Sequence, residues 1–178
     1  MTNGLGGPTL GAAPRKRCVM AIPESIRKFV ETHGIGFTPI HHRLAYTAQE
    51  EAAATHVPGR EWAKTVVCIA DGKPVLALLP ACDRVDLGAL RTASGARQVR
   101  LAEEKEFAAF YPDCETGAMV PFGPLYGQTV YVDEALARDP EITFHAGTHV
   151  DAMRMRYADF AKLVHPVAAR IGRRSIMH

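Results

Sequence analysis

The segment Glu141 to Met155, EITFHAGTHVDAMRM, sets His145 and His149 four residues apart, with a Gly-Thr step between them and Asp151 two residues on. Histidine and aspartate at such spacing suit three chemistries: metal binding, proton transfer, or hydrogen bonding to a polar ligand. Two histidines four apart share a helix face, but Gly147 and its β-rich flanks favour a strand. In a strand the same spacing separates them by about 13 Å, too far to share one ion. The chain contains no H-E-x-x-H and no cysteine pair that would complete a ligand set, so no metal is expected. His145 reads as an ordinary strand histidine. His149 follows a Gly-Thr turn, where side chains and backbone N–H groups can face a ligand, and is the stronger candidate.

Two other stretches carry chemical potential. DCETGAMVPFGPLYG, Asp113 to Gly127, has glycines at 117, 123 and 127 and prolines at 121 and 124. Glycine lets a ligand approach the backbone, and proline stiffens the loop that presents it. The stretch lacks G-K-[ST] and opens no helix, which excludes a phosphate loop; a plain surface link is the alternative. Cys114 within it would pair with His149 in a thiol hydrolase, although no local cysteine-hydrolase signature is present. Lys64, in WAKTVVC, either snorkels to solvent or offers a fixed positive charge at a pocket mouth to a phosphate or carbonyl oxygen.

The elements that must position these residues follow from periodicity. PESIRKFVETHG reads as a helix from Pro23 to Gly34, and IGFTPIHH as a short strand. Thr47 and Glu50 form a capping box that opens a helix running to about Thr55. AKTVVCIADGKPVLALLPA is a central hairpin, its two apolar runs turning at Asp71-Gly72. RVDLGALRTASG predicts a helix ending at Gly95, RQVRLA a strand, and EEKEFAAFYP a helix stopped by Pro112. QTVYVDE, EITFHAG and THVDAMRM predict strands, the last with Val150, Ala152 and Arg154 on one face, and YADFAKLVHP a closing helix. Hairpins mixed with helices, without βαβα alternation, predict an α+β fold with a mixed sheet.

Bulk properties limit the function classes. The 178 residues, 47% hydrophobic and 22% charged, suit one globular domain. A formal charge of +2 is too small to mark a nucleic-acid binder by bulk electrostatics. Basic residues cluster at Arg15, Lys16 and Arg17 and at Arg170, Arg173 and Arg174; they read as solvated tails, with phosphate contact as the alternative. Cys18, Cys68, Cys82 and Cys114 have no framework spacing and read as reduced thiols of a cytoplasmic protein. Neither a membrane span nor the apolar core of a signal peptide is present in the sequence. The expected organisation is a flexible arm over 1–19, a folded domain over 20–166 beginning at Met20, itself an alternative start, and a basic tail over 167–178.

The ordered set AKTVV, LLPA, VDL, DCETGAMVPFG, VYVD and AGTHVDAMRM resembles the YbaK/EbsC family of aminoacyl-tRNA editing domains. These are free-standing relatives of the insertion domain with which bacterial prolyl-tRNA synthetases edit. The resemblance runs from about Ile26 to Val164 and implies a single α+β domain whose mixed sheet closes partly into a barrel, with flanking helices. It implies hydrolysis of the ester of a mischarged tRNA, tRNA(Pro) carrying Ala, Ser, Thr or Cys, with no metal and no cofactor. Its implied partners are the aminoacyl-tRNA 3′ end and prolyl-tRNA synthetase, and no membrane. The family's lysine at the substrate 3′ end matches Lys64, with Thr65 beside it. Its glycine-rich carbonyl-binding stretch matches Gly117, Ala118, Pro121, Phe122 and Gly123. Its amino-acid pocket turn matches Gly147, Thr148 and His149, and Tyr46 and Asp159 match pocket or support positions. Val120 departs from relatives that carry a second proline before Pro121, which bears on the pocket wall. A rival reading is a non-catalytic module that binds tRNA 3′ ends or a synthetase.

Overall fold

The structure, a computed structural model, describes residues 22–44 and 57–174. The helix expected from Thr47, and Tyr46 with it, lie outside the described residues. The hairpin is the centre of the fold. Strands β2 (Ala63–Ala70) and β3 (Lys73–Pro80) pair antiparallel in full register, from Ala63 opposite Pro80 to Ala70 opposite Lys73. Asp71 (φ 47°) and Gly72 (φ 81°) make the turn, both with the positive φ that a two-residue hairpin requires. The Asp71 carboxylate accepts the backbone N–H groups of Arg97 and Gln98, which holds it below the usual carboxylate range and ties the turn to the next strand.

That strand, β5 (Val99–Leu101), flanks β2 antiparallel, whereas β6 (Thr129–Asp133) and β9 (Val167–Ala169) add on the far side of β3 in parallel. The result is a five-stranded mixed sheet of order β5-β2-β3-β6-β9. A second, antiparallel sheet of order β1-β8-β7 is built from β1 (Thr38–His41), β7 (Glu141–His145) and β8 (Asp151–Arg156). The two sheets meet edgewise at a bridge between Trp62 and Thr143, a partial closure of the barrel.

The main core fills the space between the sheets. Val67, Leu76, Leu78, Val130 and Val132 face Ile142, Phe144, Met153 and Met155. Helix α1 (Glu24–Thr32) contributes Ile26 and Val30, and the closing helix Tyr157–Val164 adds Phe160, Leu163 and Val164. The opposite face of the large sheet, carrying Cys68, Val75, Ala77, Leu79 and Tyr131, is covered by Leu90 of α2 (Leu87–Ser94) and by Ile171. Both faces of β3 are therefore buried, which accounts for an unbroken VLALL in place of alternation. Asp86 caps α2 by accepting the Ala89 N–H, and Gly95, at φ 67°, ends it. Helix α3 (Glu104–Phe110) opens on a capping box between Glu103 and Glu106.

The expected basic tail requires correction. Residues 167–169 are strand β9, and β10 (Gly172–Arg174) pairs antiparallel with β4 (Asp83–Val85), so the folded body continues to Arg174. Short strands of three residues are too brief for period-2 patterning to reveal. The anchor is a buried carboxylate at the end of β6. Asp133 accepts the Ala135 N–H, opening the short helix Glu134–Ala137, and also the N–H groups of Ile171 and Gly172. Among the described residues no helix is long and apolar enough to cross a membrane.

Replacing Asp133 with Ala strands three buried or half-buried donors and should lower the unfolding free energy by about 2–4 kcal/mol in urea titration. Asp133→Asn, which keeps one acceptor oxygen, should lose less.

Candidate active site

Phe144 and His145 leave β7 on opposite faces, and the chain then reverses over 146–150 into β8. Gly147 makes the reversal possible: its φ is 95°, and a Cβ there would come within 2.9 Å of the Pro23 ring at the start of α1. Asp151, fully buried, organises the turn. One carboxylate oxygen accepts from the Thr148 hydroxyl at 2.8 Å and the other from His41 Nδ1 at 2.9 Å. The Thr148 oxygen in turn accepts the Asp151 N–H, and Ala146 donates its N–H to the Asp151 carbonyl.

This turn brings the two histidines together. Their ring centroids are 5.7 Å apart and nearly perpendicular. The extended-strand separation expected from sequence is thus wrong, because a tight turn, not a continuous strand, joins them. His145 is also more than a plain strand residue. It is buried, its Nδ1 donates to the Thr148 carbonyl, and its ring stands edge-on to Trp62 at 5.9 Å. Trp62 in turn stands edge-on to His42 at 6.0 Å, and the Trp62 indole N–H is buried with no hydrogen-bond partner among the described residues.

The glycine-rich stretch meets the turn through its first residues. Glu115 N–H donates to the Gly147 carbonyl at 2.9 Å, and the His149 N–H donates to the Glu115 carboxylate at 2.8 Å. His149 Nε2 donates to the Thr116 carbonyl at 3.0 Å. Gly117 lies directly beneath this ring: at φ 93°, any Cβ on it would sit 3.3 Å from His149 Cε1. Gly117, Gly147, Thr148 and His149 are therefore one constellation, and Ala118 is buried immediately behind it.

Other expected residues lie elsewhere. Pro121 and Phe122 belong to the interior, and the Phe122 ring packs between Phe29 and Phe144. At Gly123 a Cβ would fall 2.3 Å from the Gln128 carbonyl oxygen, so this glycine serves close backbone packing. Asp159 pairs with Arg156 and Lys162 at the start of the closing helix, and its hydrogen bond from Arg156 holds its carboxyl below the usual range. Lys64 is half-buried, donates from Nζ to the Ala81 carbonyl at 3.3 Å, and is pushed below the ordinary lysine pKa by desolvation, with Asp83 opposing. Thr65 faces the other side of β2 by the two-residue period, and its hydroxyl is buried with no partner among the described residues. Lys64 and Thr65 thus do not present their side chains to one space.

Cys114 lies near Tyr126, with Sγ 3.5 Å from the hydroxyl, and burial pushes its thiol pKa up. That environment favours the thiol over the nucleophilic thiolate. Among the described residues no three His, Cys, Asp or Glu side chains are grouped to hold a metal ion. Sequence reasoning missed Trp62, Glu115 and the buried role of Asp151. Only Asp151 had a signal, its place two residues after His149.

The sequence profile of the aminoacyl-tRNA editing domain matches residues 42–163. No curated protein sequence matches the chain. Several solved structures share the fold. A scaffold protein from computational epitope backbone grafting is 22% identical with a TM-score of 0.77, over 87% of this chain and 99% of its own. A hypothetical protein is 18% identical with a TM-score of 0.76, over 84% of this chain and 100% of its own. A proposed trans-editing enzyme for prolyl tRNA synthetase is 24% identical with a TM-score of 0.73, over 84% of this chain and 98% of its own. With the profile spanning the hairpin, the glycine-rich loop and the histidine turn, the chain belongs to the aminoacyl-tRNA editing domain family.

Proposed function

We propose that this chain hydrolyses, in trans and without a metal, the ester of tRNA(Pro) carrying a small or polar non-cognate amino acid: Ala, Ser, Thr or Cys. The observation that carries the reading is the corner made by Gly117 and His149, where exposed glycine backbone lies beneath an imidazole anchored through Nε2 to the Thr116 carbonyl. In ester hydrolysis a water oxygen bonds to the carbonyl carbon, the C–O bond to the ribose breaks, and the ribose oxygen leaves with a proton. The products are a free amino acid and an intact tRNA 3′ terminus. A backbone corner contributes by holding the carbonyl in place and stabilising its developing negative charge. The vicinal ribose hydroxyl orients the water, so the site needs no Ser-His-Asp set. Selection follows size, with His149 as the wall against which the amino-acid side chain is measured.

Lys64 takes the anionic 3′ end. It is half-buried and bonded to a carbonyl, and among the described residues it has no carboxylate in salt-bridge range, which leaves its charge available. Lys64→Ala should reduce deacylation of mischarged tRNA(Pro) by about two orders of magnitude, the scale of removing one charge-stabilising group from a water-poor site, with little effect on the fold. Because desolvation lowers its pKa, the enzyme-dependent rate of the parent protein should fall with rising pH before the ordinary lysine value of 10.5 is reached. Wild-type rates in the variant would remove Lys64 from the site.

His149→Ala should change which substrate is preferred as well as how fast it is cleaved. Pocket interactions of methylene size are worth about 1–3 kcal/mol, so relative rates among Ala-, Ser-, Thr-, Cys- and Pro-tRNA(Pro) should shift by roughly tenfold. An unchanged ranking would place the amino-acid pocket elsewhere.

Deacylation should also survive prolonged EDTA treatment, and Cys114→Ala should retain most of it, because burial disfavours the thiolate. Rescue of a chelated enzyme by zinc, or a dead Cys114 variant, would sink the metal-free and thiol-free mechanism respectively.

A further inference from the structure

Several arginines of this protein are ion-paired at its surface. Arg27, Arg60, Arg100, Arg138 and Arg156 each meet a carboxylate, on Glu31, Glu61, Glu106, Glu134 and Asp159. Arg84, Arg91 and Arg173 belong, with Arg97, Arg170 and Arg174, to the exposed arginines that make no ion pair among the described residues. They are grouped by the fold: β4 carries Arg84, β10 carries Arg173, and α2, which follows β4 directly, carries Arg91.

The carboxylates of this region are engaged elsewhere. Asp71 accepts the N–H groups of Arg97 and Gln98, Asp86 caps α2, and Asp133 is buried against Ala135, Ile171 and Gly172. Asp83 stands opposite Arg174 in the β4–β10 register, and its charge favours the Lys64 ammonium. Arg84 and Arg173 are left directly across from one another, on the exposed side of the two-stranded ladder. Like charges directly opposite destabilise a strand pair, so stability gives no reason for this placement.

The positive surface continues in two directions. Arg91 joins Arg97 around a cleft of about 1040 Å³ beneath the hairpin turn, which Asp71 and the Glu106-paired Arg100 also line. At the other end Arg84 is close enough to Lys64 for its charge to oppose that of the ammonium. Lys64 is the residue assigned above to the tRNA 3′ end, so one polyanion running from that end would lie along the arginines. Guanidinium forks suit phosphate oxygens, which they bind bidentately.

We propose that Arg84, Arg173 and Arg91 form a docking face for the phosphate backbone of the tRNA body, holding the substrate outside the site that takes its 3′ end. The inference rests on the deacylase reading for the identity of the partner, and it adds recognition of tRNA beyond the terminal nucleotides.

The test is binding of uncharged tRNA(Pro), by fluorescence anisotropy over a series of KCl concentrations, to the full chain and to Arg84→Gln/Arg91→Gln/Arg173→Gln. Removing three exposed cations should weaken binding at least tenfold. It should also flatten the plot of log affinity against log salt, by roughly 0.7–0.9 for each phosphate no longer neutralised. Arg27→Gln and Arg138→Gln, in the ion-paired population, serve as controls and should keep the parent affinity and slope. Parent affinity and slope in the triple variant would overturn the proposal, as would equal weakening in the controls or tighter binding of polyglutamate than of tRNA. Since uncharged tRNA is used, the result is independent of hydrolysis. A chain that binds through these arginines yet cleaves no ester would refute the deacylase reading alone.

Discussion

A hairpin that is apolar on both faces cannot stand at the surface, and burying the β2–β3 pair imposes the layers around it. One face is covered by the β1-β8-β7 sheet with α1 and the closing helix, and the other by α2 and Ile171. Covering both faces fixes where the chain must pass. The strand after the glycine-rich loop has to lie parallel beside β3, and the chain then has to cross to build the second sheet. The loop and the histidine turn thereby arrive at the same end of the core. Burial of about 25 cal/mol per Å² of apolar surface drives this arrangement, while the polar groups of the site must be satisfied locally.

Local satisfaction is the work of two carboxylates with opposite exposures. Asp151 is fully buried and binds the Thr148 hydroxyl and His41, which shapes the turn from within. Glu115 is exposed and accepts the His149 N–H while its own N–H meets the Gly147 carbonyl, which fastens the turn to the loop from outside. His149 therefore has both its backbone and its ring bonded to the loop that carries Gly117, so its position does not depend on a bound substrate.

How legible this was in sequence depended on the range of the forces involved. The hairpin turn and the stop of α2 at Gly95 are local devices and were readable from residue types alone. The positions of Gly117, Gly147 and His149 were readable through family resemblance, but their mutual proximity was not. Treating AGTH as strand put the histidines too far apart, because the chain reverses at Gly147, where Pro23, more than a hundred residues earlier, leaves no room for a side chain. Strands β9 and β10 were hidden for a related reason. They are too short for a pattern, and their anchor, Asp133, acts across 38 and 39 residues of sequence. Phe122 and Gly123, motif positions by resemblance, are held in place by packing that the motif itself did not reveal.

The parallel pairing of β6 with β3, and of β9 with β6, also bears on the order in which the protein is built. The hairpin and the β7–β8 turn join neighbouring segments and can close early, whereas Val75 must wait for Thr129 and Tyr131 for Val167. Long-range closures of this kind are slow relative to local ones. The histidine turn can thus take shape on its own hairpin, but Gly117 reaches His149, and Trp62 reaches His145, only after distant segments have docked. Competence for chemistry should accordingly be among the last properties acquired as the nascent chain folds, and the first to go when the sheet edges loosen.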